Sequence, residues 1–227
     1  MKIYEFNGLP GSVKSTLCDA LHAKLLEKKI KLGHRNDLYR DIYLPKRNRV
    51  LIEALFGYQN IGINLRIVLM AFRYGISKSR LKWAWGLILL NHLIQKAIET
   101  RLYDILILDE GIVQYLTSIP HDKPFVNRAS ERKLLNLLSD RFRDHLFTIN
   151  CNITESVNIA RLKSRGNPLS RFDRLDEEDL REKLRVKKKN LSYVIENICF
   201  TDLIELNMDH DVTQNLELLI GKIAKSE

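Results

Sequence analysis

Short apolar runs along the chain alternate with longer stretches in which apolar residues recur at helical spacing. Lys2 to Asn7 reads as a buried strand that ends at a glycine turn, and Lys14 to about Lys31 carries Leu17, Leu21, Leu25 and Leu26 at helical intervals. Lys31 to Asn36 predicts a second strand of thin apolar content. From Leu51 to Tyr103 the pattern is mostly helical, with breaks expected near Gly57, Gly62 and Gly75. Ile105-Leu106-Ile107-Leu108 is a continuous apolar run of the kind buried on both faces of a parallel sheet. Arg128 to about Asp144 predicts a helix, His145 to Asn150 a strand and Thr154 to Arg165 a further helix. The next helix, Asp176 to Asn197, opens with Asp176-Glu177-Glu178-Asp179 at its positive dipole end. Ile198 to Leu206 is the last predicted strand, and Asp211-Val212-Thr213-Gln214 starts a terminal helix with a pattern like a capping box. Strands alternating with helices predict an α/β fold with a parallel sheet.

The most apolar stretch, Trp83 to Ile98, meets Asn91 and His92 too early for a membrane span and reads as a central buried helix. Peripheral membrane contact is the lesser reading, since Arg66, Arg73, Lys78, Arg80 and Lys82 flank apolar positions. With 227 residues and no repeat, low-complexity tract or linker, the expectation is one domain over 1–227, with a helical elaboration at about 40–103. Cys18, Cys151 and Cys199 are scattered, which argues against a disulfide framework and against structural zinc. Met1 to Phe6 has no apolar run of signal-peptide length, and a cytoplasmic protein is expected. The net charge of +9 gathers at Arg35–Arg49 and Arg161–Lys189 without interleaved aromatics. Nucleic acid is therefore disfavoured as a partner, and phosphate handling is the more economical use of the charge.

The candidate chemistry lies at Gly8-Leu9-Pro10-Gly11-Ser12-Val13-Lys14-Ser15-Thr16, between the first strand and the first helix. Backbone N–H groups converge on an anion only where the chain turns without a clashing Cβ, which Gly8 and Gly11 permit. Lys14 would reach the β- and γ-phosphates, Ser15 would give its hydroxyl to magnesium, and the helix N-terminus would face the anion. Pro10, Ser12, Val13 and Thr16 complete the nucleotide-binding set. The spacing departs from GxxxxGK[ST] at Val13, a stiff residue where glycine is expected. Helical angles are open to valine, so the loop is expected to form with the side chain crowding the phosphates. Glycine at 13 is expected to ease binding at a slight entropic loss of stability.

A carboxylate must face such a loop across the metal, and Asp109-Glu110 follow the apolar run 105–108 as in a Walker B strand. Asp109, at the carboxyl end of its strand, is the expected magnesium ligand together with Ser15, and Glu110 is expected to orient the acceptor hydroxyl or a water. Asp37 is a second candidate base, and a turn-forming role is open to it as well. Arg161 and Arg165 lie four apart on one predicted helix face. Arg171 and Arg174 follow the helix-breaking Gly166-Asn167-Pro168, so the segment 161–175 reads as a lid whose guanidinium groups offset phosphoryl charge.

These segments together resemble the thymidylate kinase-like branch of P-loop nucleoside and nucleotide kinases. That branch carries a loop like Gly-Leu-Pro-Gly-Ser-Gly-Lys-Ser-Thr and a lid with Arg-x-x-x-Arg-Gly followed by Asp-Arg-Phe-Glu. The counterparts here are Arg161-Leu162-Lys163-Ser164-Arg165-Gly166 and Ser170-Arg171-Phe172-Asp173. The resemblance implies a P-loop NTPase fold, with a five-stranded parallel sheet flanked by helices and a closing lid. It also implies ATP and Mg2+ as cosubstrates. The chain departs from the branch at Asp109-Glu110-Gly111, where Asp-Arg and an aromatic are expected. It departs again at Arg35-Asn36-Asp37, where Arg-Glu-Pro is expected, and so the acceptor is left open.

The function expected from the sequence is ATP-dependent phosphoryl transfer to a small-molecule acceptor, with a homodimer left open. Two alternatives stand beside it. One is a kinase-like nucleotide-binding module with impaired turnover, and the other is a P-loop nucleotide hydrolase acting as a switch.

Overall fold

A computed structural model describes residues 1–28, 30–120, 123–126, 129–165, 171–198 and 202–225. Five strands, β1 (Lys2–Gly8), β2 (Leu32–His34), β3 (Ile105–Leu108), β4 (Leu146–Asn152) and β5 (Asp202–Asn207), form one sheet in the order β2-β3-β1-β4-β5. Every pairing is parallel, with Glu5 opposite Leu108 and Gly8 opposite Cys151. The crossovers are helical: α1 (Lys14–Leu26), α2 (Arg35–Leu38), α3 (Arg47–Phe56), α4 (Tyr58–Arg73), α5 (Lys78–Glu99), α6 (Ile112–Ser118), α7 (Ala129–Phe142), α8 (Glu155–Lys163) and α9 (Glu177–Asn197), and α10 (Val212–Lys225) follows the last strand. This is the five-stranded parallel sheet flanked by helices that the resemblance implies.

Alternation along the strands divides the core. Tyr4, Phe6, Ile107 and Ile149 pack against Leu17 and Leu21 of α1 and Leu219 of α10. Ile3, Leu106 and Leu108 pack on the other face with α5, α6 and α7. That second face turns polar toward the carboxyl ends of the strands, where Glu5, Asn7 and Thr148 are all fully buried.

Several boundaries differ from expectation. α1 stops at Leu26, and β5 begins at Asp202. Gly57 and Gly75 do separate helices, but Gly62 lies inside α4, because the apolar period runs through it unbroken. α2 and the π turn that continues it (Tyr39–Tyr43) are too short and polar to carry a period. α6 is buried on all sides, with Ile112, Val113 and Leu116 beside Gln114, Thr117 and Ser118, and so shows no amphipathic signature. The apolar stretch 83–98 lies in α5, whose Leu87 to Ile94 are all buried. Among the described residues no helix is long and apolar enough to cross a membrane.

Candidate active site at the carboxyl ends of the strands

β1 runs from the buried sheet into the loop Gly8–Val13, and α1 begins at Lys14. Ser12 N–H donates to the Leu9 carbonyl (3.1 Å), closing the turn. Gly11 has φ +89°, and a Cβ there would lie 2.5 Å from Asn158 Oδ1. Gly8 is needed for space instead, since a Cβ would press on Ser12 Oγ at 2.7 Å and on the Cys151 carbonyl at 2.9 Å. Both glycines are thus required, for different reasons. Pro10 is half-buried, Ser12 is buried, and Ser15 and Thr16 are exposed on the first turn of α1.

Val13 departs from the expected helical angles. It occupies the left-handed region at φ 58°, ψ 18°, a conformation in which a β-branched side chain is an outlier. The spacing placed a glycine here because the chain reverses hand immediately before the helix. Val13 is also the N-cap and cannot accept a hydrogen bond through its side chain, and the first turn of α1 carries no acidic residue. This helix end is therefore without a side-chain cap, and its positive dipole end faces the loop without an acidic residue in the first turn.

Lys14 is half-buried between the loop and the neighbouring strand ends. Burial lowers its ammonium below the usual range, Cys151, Glu110 and Asp109 oppose that shift, and Arg165 adds to it. Lys14, Asp109, Glu110 and Arg165, expected to act together, are therefore within electrostatic reach of one another. The parallel pairing of β1 and β3 accounts for this, because it brings both strands to their carboxyl ends on the same edge of the sheet.

Two residues that the motif reading did not place in the site order this region. Arg35, the first residue of α2, sets its Nε 3.3 Å from Asp109 Oδ1 and pairs through Nη1 with Glu110 Oε2. Burial opposes its charge, but Asp109 and Glu110 outweigh burial and hold the guanidinium protonated. Glu5, fully buried in β1, accepts the N–H groups of Ile112 (3.0 Å) and Val113 (2.7 Å) at the start of α6. A side chain at Gly111 would collide with this carboxyl group. Glu5 thereby fixes the turn that carries Asp109 and Glu110. Burial pushes its pKa up to about 7 despite the N–H donors that lower it. A charge in the middle of a buried strand is the signal that could have drawn attention to Glu5. For Arg35 the signal was its place in Arg35-Asn36-Asp37, where the resembling branch carries Arg-Glu-Pro.

Beside Arg35 stand Tyr39 and Tyr115, within electrostatic reach of each other, and Trp83 meets Tyr115 edge to face at 5.3 Å. Asp37 lies apart from this cluster in its interactions. Its Oδ2 accepts His34 N–H at 2.7 Å, its Oδ1 pairs with Arg40 at 2.8 Å, and it completes the capping box of α2. The acceptor-side candidate therefore has a capping duty that the sequence reading allowed only as a turn.

Arg161 lies on α8, half-buried, with one guanidinium nitrogen buried and without a hydrogen-bond partner among the described residues. Arg165 follows the helix end. Gly166, Asn167, Pro168 and the side chain of Arg171 lie outside the described residues, so the expected lid is described only at its flanks. Part of the basic stretch has another use: Arg181 and Arg185 pair with Glu155, and Lys163 pairs with Glu177.

No protein-family model and no curated protein sequence matches the chain. Solved structures do resemble it. The YorR protein of Bacillus subtilis in complex with phosphorylated GDP aligns with a TM-score of 0.55 at 13% identity, covering 98% of this chain and 96% of that one. Deoxyadenosine kinase from M. mycoides with bound dATP aligns with a TM-score of 0.50 at 15% identity, covering 98% and 99%. The chain has the fold of these P-loop proteins, and at such identities the likeness concerns the fold.

Proposed function

We propose that the protein catalyses ATP-dependent phosphoryl transfer to a small-molecule acceptor, in the manner of a nucleoside or nucleotide kinase. The observation that carries this reading is the meeting of Lys14, at an uncapped helix N-terminus, with Asp109 and Glu110 at the end of the adjacent strand. Loop N–H groups and Lys14 hold the phosphates. Glu110 orients the acceptor hydroxyl in place of Asp37, whose carboxylate caps α2. Arg161, Arg165 and Arg171 supply positive charge as the phosphoryl group moves.

The donors fit magnesium: a carboxylate and a hydroxyl, both oxygen ligands, at Asp109 and Ser15. When bound, Mg2+ neutralises phosphate charge and orients the β- and γ-oxygens. Asp109, which would hold the cation, already pairs with Arg35, so the two would share one carboxylate. Arg35, with Tyr39 and Tyr115, would then border the acceptor.

The alternative of a nucleotide-binding module with impaired turnover is favoured by one observation, the left-handed Val13. The test is calorimetric Mg-ATP binding to wild type and Lys14→Ala, with ATP consumption measured across nucleosides, nucleotides and sugars. Acceptor-dependent consumption, with binding lost in Lys14→Ala, supports the kinase. Binding without consumption selects the module, and consumption that needs no acceptor selects a hydrolase. Unchanged affinity in Lys14→Ala removes the loop assignment.

A further inference from the structure

α8 rests on the phosphate loop along one face. A Cβ at Gly11 would lie 2.5 Å from Asn158 Oδ1 and 3.1 Å from Leu162 Cγ, so these two side chains, neighbours on one helix face, both press on the Gly11 backbone. Arg161 follows Asn158 by three residues and keeps one guanidinium nitrogen buried and unpartnered among the described residues. Arg165, just past the helix, is within electrostatic reach of Lys14. The helix that touches the loop thus also carries the arginines that serve it.

Asn158 is an unexpected residue at this contact. It is 0% exposed, and neither end of its carboxamide has a hydrogen-bond partner among the described residues. A donor and an acceptor left unpaired in the interior are costly, and an apolar side chain of the same outline avoids that cost. Leu162, which makes the companion contact with Gly11, is such a side chain. Packing therefore accounts for Leu162 and does not account for Asn158. Beside the carboxamide is a cavity of about 30 Å³ that Glu155 and Arg185 also line, and these two already pair with each other at 3.3 Å. On its other side is the backbone of Gly11, whose following N–H, that of Ser12, is spent on the Leu9 carbonyl. Ser12 Oγ, at the same turn, is likewise buried and unpartnered among the described residues.

We infer that Asn158 is a positioning residue for the phosphate loop. When the loop closes on phosphate, the carboxamide turns within its small cavity and hydrogen-bonds a peptide group next to Gly11, through Oδ1 to an N–H or through Nδ2 to a carbonyl. That bond fastens α8 to the loop and sets Arg161 and Arg165 over the phosphates. The inference rests on the proposed binding of Mg-ATP by the loop and does not depend on the acceptor or on turnover.

Calorimetric titration with Mg-ATP, combined with thermal unfolding, provides the test. Asn158→Leu keeps the outline of the side chain and removes its hydrogen-bonding groups. It should melt at or above the wild-type temperature, because an unpaired buried amide is gone, and yet bind Mg-ATP about 10-fold more weakly, the loss of one good hydrogen bond. Asn158→Ala should show the same loss of affinity and serves if the leucine variant does not fold. In the double variant Asn158→Leu/Arg161→Ala the loss should fall short of the product of the two single losses, since Asn158 acts partly by placing Arg161. A residue that merely fills space would move the melting temperature and leave the affinity alone. Either variant binding Mg-ATP as tightly as wild type while folded therefore overturns the inference, and so do fully multiplicative losses in the double variant. A wild type that binds Mg-ATP but transfers no phosphate removes the kinase reading and leaves these comparisons decisive for Asn158. A wild type that binds no Mg-ATP overturns both.

Discussion

Val13 and Glu5 are the residues at which local conformation and burial conflict with side-chain type. Left-handed backbone costs an L residue about 1–2 kcal/mol, whereas glycine brings an entropic loss of about 0.5–1 kcal/mol. With Val13 at φ 58°, strain relief is the larger effect, and the sign expected from sequence reverses. Val13→Gly should raise the melting temperature of the nucleotide-free protein by about 2 °C for a chain of this length, and should also tighten Mg-ATP binding. A fall in melting temperature would show that the valine is not strained. At Glu5 the folded pKa of about 7 stands above the ordinary 4.5. The folded protein thus holds a proton that the unfolded chain releases. Stability should decline as pH rises from about 4.5 to about 7, by on the order of 3 kcal/mol, and this contribution should level off above that. Glu5→Gln should flatten this decline in urea titrations across the same range. Comparing the two proteins isolates Glu5 from His92, whose lowered pKa gives a slope of the opposite sign. An identical slope in the variant would remove Glu5 as its source.

Helix ends tell a similar story at the scale of elements. α4 ends at Gly75, φ +101°, whereas α5 ends at Arg101, φ +49°, with Leu102 N–H closing back to the Ala97 carbonyl at 3.1 Å. Arg101 is exposed, so Arg101→Gly should stabilise the protein by about 0.5–1 kcal/mol without disturbing the core. Thermal unfolding that shows a loss would contradict this account of the cap. Elements with a strong period or a continuous apolar run, such as β3, α5 and α9, could be placed from sequence because burial alone defines them. Asp109, Glu110 and the loop followed from strand ends and spacing. α6 was hidden because burial on every side erases a period. What Arg35 and Glu5 hold could not be read from their neighbours in sequence, because their partners lie 75 and 107 residues away. The left-handed Val13 was likewise invisible, since a backbone angle is set by the turn and the side chain only suffers it.

Across the whole molecule, the strand ends and the outer face of α4 differ in chemistry. Lys14, Asp109 and Arg165 converge at the strand ends, while Tyr58 to Ile76 present an apolar face outside that convergence. The net charge of +9 divides too, with Arg35 balancing carboxylates, Arg181 and Arg185 engaged with Glu155, and Lys14 and Arg165 beside the loop. The strand order also bears on how the chain is made. β1 is made before both of its neighbours, β3 and β4, which end at Leu108 and Asn152. Until Leu108 is made the strand that leads into the phosphate loop has no partner in the sheet, and until Asn152 it has one at most. Before then only α1, through Leu17 and Leu21, is available to cover Tyr4 and Phe6, and the backbone of β1 waits for both neighbours.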